Sequence, residues 1–274
     1  MNREGTGRGE REFFDAIAFA PARGHLTEDP RVRRSWDKHA KWIPHYLIKD
    51  KVVLDAGCGD GRFVRYCLDK GARFCIGLDI SGKYILSGIR QGRTLVYTHY
   101  ITCAPRETSL FIQADAQKMP VRSNCIETVL CLSAFHHLPN KRLFLEECRR
   151  VLTDGGHVII VDPNGQNPLR PLANYFGRKL GRLSHMERAI KPKETEAYLS
   201  DAGFQIRRFI AMNLLSEINT HIAEILFYRE KILLGQLFRV LIGPANRSDD
   251  LCEKSVFRIF PWLSWRYMLI AKKT

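Results

Sequence analysis

Apolar and polar positions along the first half of the chain follow two alternating rhythms. Short unbroken apolar runs recur at KVVLDAG (51–57), RFCIGLDIS (73–81), SLFIQADA (109–116), IETVLCLSAF (126–135) and GGHVIIVDPN (155–164). Each has the length and β-branched content of a strand buried on both faces. Between them lie segments with helical spacing: RFVRYCLDKG (62–71), GKYILSGIRQG (82–92) and NKRLFLEECRRVL (140–152), the last with Leu143, Leu145, Cys148 and Leu152 on its apolar side. Strand and helix in strict alternation predict βαβ units. Beyond residue 162 the rhythm loosens. KETEAYLSDAGF (193–204) reads as a helix, QIRRFIAMN (205–213) as a strand, 219–242 as one long amphipathic helix and WRYMLIAK (265–272) as a final strand. Upstream, EFFDAIAFA (12–20) and 31–48 read as helices, the second broken at Pro44, and residues 1–11 as a disordered Gly/Arg/Glu tail.

The predicted architecture is a Rossmann-like, doubly wound α/β fold. Its seven-stranded sheet is mostly parallel with an antiparallel last strand, and a helical insertion precedes that strand. Residues 12–274 form one domain: a core over 48–162, a lid over 163–192 and an insertion over 213–264. A chain of 274 residues with 45% apolar content can fill such a core. The net charge of +14 raises the weight of a polyanionic partner, whether nucleic acid, phosphorylated substrate or anionic membrane. Eight cysteines occur with no C-x-x-C pair, so no metal-ligand spacing is read. They point to free thiols in a reducing, cytoplasmic compartment. The N-terminus has no signal-peptide core and no apolar run is long enough to span a bilayer.

The chemistry concentrates in VVLDAGCGDGRF (52–63), where a strand ends in an acid and three glycines follow. Glycine lets backbone N–H groups approach a ligand that a Cβ would exclude. Asp79 ends the next strand, where a carboxylate can take both hydroxyls of a ribose. The dinucleotide fingerprint G-x-G-x-x-G fails, because Arg62 stands where the third glycine belongs. An acid before the first glycine suits a cofactor with a cationic amino-acid tail and repels a pyrophosphate. S-adenosylmethionine (SAM) meets those demands.

Residues 48–162 resemble the class I SAM-dependent methyltransferases, in particular the broad group containing the ubiquinone/menaquinone C-methyltransferases. The resemblance rests on VLDAGCGDGRF, GLDIS, QADAQKMPVRSNCIETVLCLSAFHHL and EECRRVLTDGGHVIIVDPN, with FFDAIA (13–18) similar to that group's lead-in helix. It implies that Asp55, Ala56 and the loop of Gly57, Gly59 and Gly61 hold the methionine moiety. Asp79, flanked by Ile80, takes the ribose, and Asp115 with Ala116 takes the adenine. Leu132 and Ser133 line the methionine end.

Past the cofactor, His136 and His137 in FHHLPN are candidate general bases, with packing as the competing role. Asp162, Asn164 and Asn167 either face the acceptor or simply build a turn. Residues 170–193 carry seven Lys/Arg against the single acid Glu187, interleaved with apolar side chains. This reads as a basic, apolar lid suited to a phosphorylated lipid or a membrane surface. The expected activity is methyl transfer to an O or C nucleophile of a small, hydrophobic or lipid-like acceptor, with possible peripheral membrane contact. The alternatives are an RNA-directed methyltransferase and a SAM-binding protein without transferase activity.

Overall fold

The computed structural model describes residues 3–18, 38–89, 108–179, 187–228 and 232–274. Its seven strands are β1 (Val52–Ala56), β2 (Phe74–Asp79), β3 (Thr108–Gln113), β4 (Ile126–Leu132), β5 (Leu152–Pro163), β6 (Phe204–Met212) and β7 (Arg266–Lys273). They form one sheet in the order β3-β2-β1-β4-β5-β7-β6. All neighbours pair parallel except β7, which runs antiparallel between β5 and β6. The expected sheet is therefore the observed one. Chain order reverses between β1 and β4, and the carboxyl ends of strands at such a switch point form the natural ligand crevice.

The helices in chain order are α1 (Arg3–Ile17), α2 (Arg62–Asp69), α3 (Gly82–Ile89), α4 (Lys141–Val151), α5 (Arg170–Lys179), α6 (Pro192–Asp201), α7 (Leu215–Tyr228), α8 (Ile232–Lys254) and α9 (Val256–Ile259). Two apolar clusters cover the two faces of the sheet. One joins Leu54, Ile76, Val129 and Ile160 to Phe144, Leu145 and Cys148 of α4. The other joins Val53, Leu130, Ile159 and Met268 to Val64 and Cys67 of α2. Burial on both faces explains why the central strands read as continuous apolar runs. The Asn140 side chain caps α4 by accepting from the N–H groups of Arg142 and Leu143.

Several local expectations change. Helix α1 begins at Arg3, inside the segment read as a disordered tail, and its aromatic residues dock on the domain. Of the helix expected over 31–48, residues 31–37 lie outside the described residues, and the rest forms short 3-10 turns at Lys38–Trp42 and His45–Leu47. On α4 the buried face is Phe144, Leu145, Cys148 and Val151, whereas Leu143 is exposed; Leu152 already belongs to β5. The amphipathic run over 219–242 belongs to two helices, α7 and α8. Leu237, Val240 and Leu241 of that run are exposed. Leu180, Leu183 and Met186 of the lid lie outside the described residues. Among the described residues, no helix is long and apolar enough to cross a membrane, and seven cysteines are free thiols.

The helical insertion is tied down by one buried carboxylate. Asp249 on α8 accepts from the backbone N–H groups of Leu214, Leu215 and Ser216 and from the Ser216 hydroxyl, at the start of α7. These are donors a helix leaves unmatched at its first turn, and a negative charge is favoured there. Replacing Asp249 with Ala strands them in a dry contact. The variant should lose about 2–3 kcal/mol of stability, read as a lowered urea midpoint.

Candidate functional site

The cradle at the carboxyl end of β1 is built from bare backbone. The Gly57 and Cys58 N–H groups donate to the Leu78 carbonyl of β2, which pins the loop to the neighbouring strand. Gly57, Gly59 and Gly61 all sit at positive φ. A Cβ on Gly57 would lie 2.4 Å from the Ala134 Cβ, and one on Gly61 would meet the Phe111 ring at 2.4 Å. Only glycine lets the loop lie this close to the end of β4.

Two acids, the buried Asp55 and the half-buried Asp79, face this loop. Asp79 accepts from the Gly59 N–H through one oxygen and from the Ser81 N–H through the other, both at 2.8 Å. Burial pushes its pKa up, and these two bonds pull it back. Asp55 is fully enclosed at the end of β1, and its Oδ2 has no hydrogen-bond partner. Burial, then Asp79 and Asp60, raise its pKa to about 8. A buried carboxylate oxygen without a hydrogen-bond partner fits a cationic, hydrogen-bonding guest. The structure brings Asp55, Ala56, Gly57, Gly59, Gly61 and Asp79 together at the carboxyl ends of β1 and β2.

The remaining expected residues ring the same crevice. Ile80 is half-buried after β2, and the Tyr84 ring on α3 flanks Gly59. After β3, Asp115 accepts from the Gln117 backbone N–H and side-chain amide, and Ala116 is buried. Gln117 Oε1 in turn accepts from the Asn140 N–H, which fixes this turn against the start of α4. Leu132 ends β4. Ser133 follows at φ +60°, its N–H donating to the Val161 carbonyl.

Residues 54–160 match the model of the methyltransferase domain family. The match supports a SAM-dependent methyltransferase of the class I superfamily. Its cofactor is SAM, and the cradle fits that molecule. The methyltransferase is 26% identical to the ubiquinone biosynthesis O-methyltransferase of Pseudomonas putida strain F1, over 66% of this chain and 82% of the relative. It is also 26% identical to the tRNA U34 carboxymethyltransferase of Cellvibrio japonicus, over 50% of this chain and 39% of the relative. Among solved structures it resembles the complex between the Haloferax volcanii Trm112 methyltransferase activator and a methyltransferase. That match has a TM-score of 0.59 and 17% identity, covers 94% of this chain and 96% of the other, and bears on the fold alone.

Beyond Ser133 the methyltransferase gathers a second, charged group of side chains. His136 and His137 sit in a short 3-10 turn after β4. His136 Nδ1 lies 2.9 Å from Asp162 Oδ1 at the end of β5, and both residues are buried. Burial and the nearby Arg266 and Arg170 lower the His136 pKa to about 3, so its ring is neutral at ordinary pH. Burial raises Asp162 to about 7. His137 Nδ1 lies 3.3 Å from Glu10 on α1, and its ring packs edge-on against Phe14.

Arg266 on β7 donates to the Ser133 hydroxyl at 2.6 Å and pairs with Glu217 of α7 at 2.8 Å. Arg170 stacks on the Trp265 ring, and burial lowers its pKa to about 10. Asn164 and Asn167, weighed as acceptor contacts, instead staple the β5 turn to the 261–264 segment. Their amides donate to the carbonyls of Pro261, Leu263 and Ser264. Sequence reasoning missed Arg266, Glu217 and the docking face of α1. The one visible signal was an arginine directly before the apolar run Tyr267–Ala271 of the terminal strand.

Asp55 makes a test of this electrostatics. Its folded pKa of about 8 lies above the ordinary 3.8, so the folded protein holds a proton that the unfolded chain releases. The resulting stability is present at low pH and falls as pH rises from about 4 to about 8. Without SAM, the melting temperature of the wild type should drop between pH 5 and pH 8 more than that of Asp55→Asn. Parallel melting curves for the two proteins would show that Asp55 is already ionised.

Proposed function

We propose that this methyltransferase transfers a methyl group to an oxygen or carbon nucleophile of a small, lipid-like acceptor. The observation that carries this reading is the surface over the carboxyl ends of β4 and β5. Leu169, Leu172, Tyr175 and Phe176 are exposed on and beside α5. Apolar exposure on this scale suits a greasy partner. Beside it lies a cleft of about 760 Å³ whose charged residues are Arg170, Arg178, Lys179 and Arg188. An amphipathic acceptor with an apolar body and an anionic group matches both. Ile259, Phe260 and Trp262 extend the exposed apolar surface near the end of the insertion.

In this reading Asp55 and the Gly57–Gly61 loop receive the methionine end of the cofactor. Asp79 and Ile80 flank the ribose, Asp115 and Ala116 take the adenine amine and ring edge, and Leu132 and Ser133 line the methionine end. SAM supplies a methyl group on a sulfonium, a leaving group that needs no protonation. The protein's work is therefore alignment and, for a hydroxyl or acidic carbon acceptor, removal of one proton. The His136–His137 corner handles that proton, with Asp162 orienting His136. Asp79→Ala should weaken SAM binding at least about 10-fold by calorimetry, since it removes the ribose acceptor and frees the loop N–H of Gly59. Unchanged affinity would move the cofactor site elsewhere.

A second reading, methyl transfer to RNA, draws on the net charge of +14 and on the likeness to a tRNA-modifying relative. Radiolabelled SAM incubated with the enzyme and a cell extract separates the two. Label in the organic phase is expected. Label in the nucleic-acid fraction, falling steeply with salt, would replace the lipid-like acceptor with RNA.

A further inference from the structure

Near the acceptor side of this crevice, three ligand-bearing side chains from distant parts of the chain converge. The nitrogens of His136 and His137 and a carboxylate oxygen of Glu187 all lie within 4.8 Å of one another. His136 Nε2 and Glu187 Oε1 are 3.9 Å apart. His136 is buried, and the other two are largely enclosed. Two imidazoles and one carboxylate on one side of a centre are a set that divalent zinc and its neighbours accept, with positions left over for another ligand.

The second observation lies behind the first histidine. His136 Nδ1 is engaged by Asp162 at 2.9 Å, and Asp162 is itself fully buried. Metal-ligating histidines are characteristically backed in this way, because the carboxylate fixes the ring and enriches the nitrogen opposite. With Nδ1 committed to Asp162, Nε2 is the nitrogen turned toward Glu187. His137 Nδ1 lies 3.3 Å from Glu10, at ion-pair distance. Each histidine therefore has one nitrogen beside an acid.

We propose that His136, His137 and Glu187 bind a divalent cation of the zinc class, with Asp162 as the positioning residue for His136. The site itself stands on this geometry. Its role rests on the acceptor reading above: a Lewis acid at this corner would hold an acceptor hydroxyl and let its proton pass to solvent at lower pH. That role would make the acceptor atom an oxygen. The imidazoles would then act as ligands to the ion in place of the proton-accepting role given them above, and the proton would leave from the coordinated hydroxyl to solvent.

The test uses the full chain, free of affinity-tag histidines and stripped with a chelator. Zinc titration by calorimetry should give one site. Glu187→Gln and His137→Gln should each weaken it at least about 10-fold, and Asp162→Asn by about 10- to 100-fold. Glu187 is partly exposed, so its variant should keep the wild-type melting temperature in the metal-free state. Cobalt should give visible bands of nitrogen and oxygen ligation without a thiolate charge-transfer band. Absence of a stoichiometric site, equal affinity in the Glu187 and His137 variants, or a thiolate band would each overturn the proposal. Methyl transfer surviving chelation in a protein that binds no zinc would sink the ion and leave the transferase reading intact. A zinc site lost in the variants, with label found only in RNA, would keep the site and remove the lipid-like acceptor.

Discussion

The constraint on which the functional architecture depends is the missing side chain at Gly57. The loop after β1 lies so close to the end of β4 that a Cβ at Gly57 would stand 2.4 Å from the Ala134 Cβ. This approach brings the carboxyl ends of β1 and β4 together at the point where chain order reverses. Everything chemical follows from that proximity. The loop turns its N–H groups toward the Leu78 carbonyl and the Asp79 carboxylate. The chain leaving β4 enters Ser133 at positive φ and then the turn carrying both histidines. The acids at the ends of β1 and β2 and the imidazoles after β4 thus lie on either side of this close approach.

Burying this much charge would be costly if each group stood alone. The structure offsets it by pairing across elements. Arg266 bonds Glu217 and Ser133, and Arg170 is set against the Trp265 face while donating to the Trp265 carbonyl. Thr195 and Tyr267 share a buried hydroxyl contact beside them. The antiparallel β7 makes this possible. It inserts Arg266 between β5 and β6, at the level of Pro163 and Met212, so that a terminal strand reaches the same end of the sheet as β4. The +14 net charge of the sequence is thus divided. Some of the positive residues are internal and matched, and others line the cleft under α5.

The sheet was legible because its evidence is local. Each buried parallel strand is a contiguous apolar run, and each acid or glycine at its carboxyl end is adjacent in sequence to that run. Asp55, Asp79 and the three glycines could be placed without knowing any contact. The acceptor side was not legible for the opposite reason. Glu187 stood out as the lone acid in a basic stretch, yet nothing in its spacing pointed to His136. Asn164 and Asn167 read equally as acceptor contacts or as turn residues, and their side-chain oxygens do accept from the turn N–H groups of Gln166 and Leu169. Their amides satisfy the carbonyls of a segment about a hundred residues away, and only the fold brings these partners together. The α4 face keeps Leu145 and Cys148 but takes Phe144 in place of Leu143, because both are apolar and local periodicity gives no reason to prefer the larger ring.

The N-terminal helix shows how composition can mislead when stability is tertiary. Gly, Arg and Glu give residues 1–11 the profile of a solvated tail, and an isolated helix of this sequence would be weak in water. What α1 gains is contact. Phe14 sits between the Tyr84 ring on the cofactor side and His137 on the acceptor side. Asp15 accepts from the Ser81 hydroxyl, and Glu10 reaches His137. One face of the helix therefore touches residues from both halves of the crevice. Ser81 is the residue whose N–H Asp79 holds, and His137 adjoins the residue that Asp162 holds. A helix whose stability derives from these partners is thermodynamically coupled to them: whatever tightens the Asp79 loop or the histidine turn also favours the docked helix. The Asp79 loop and the histidine turn thus share one wall, supplied by α1.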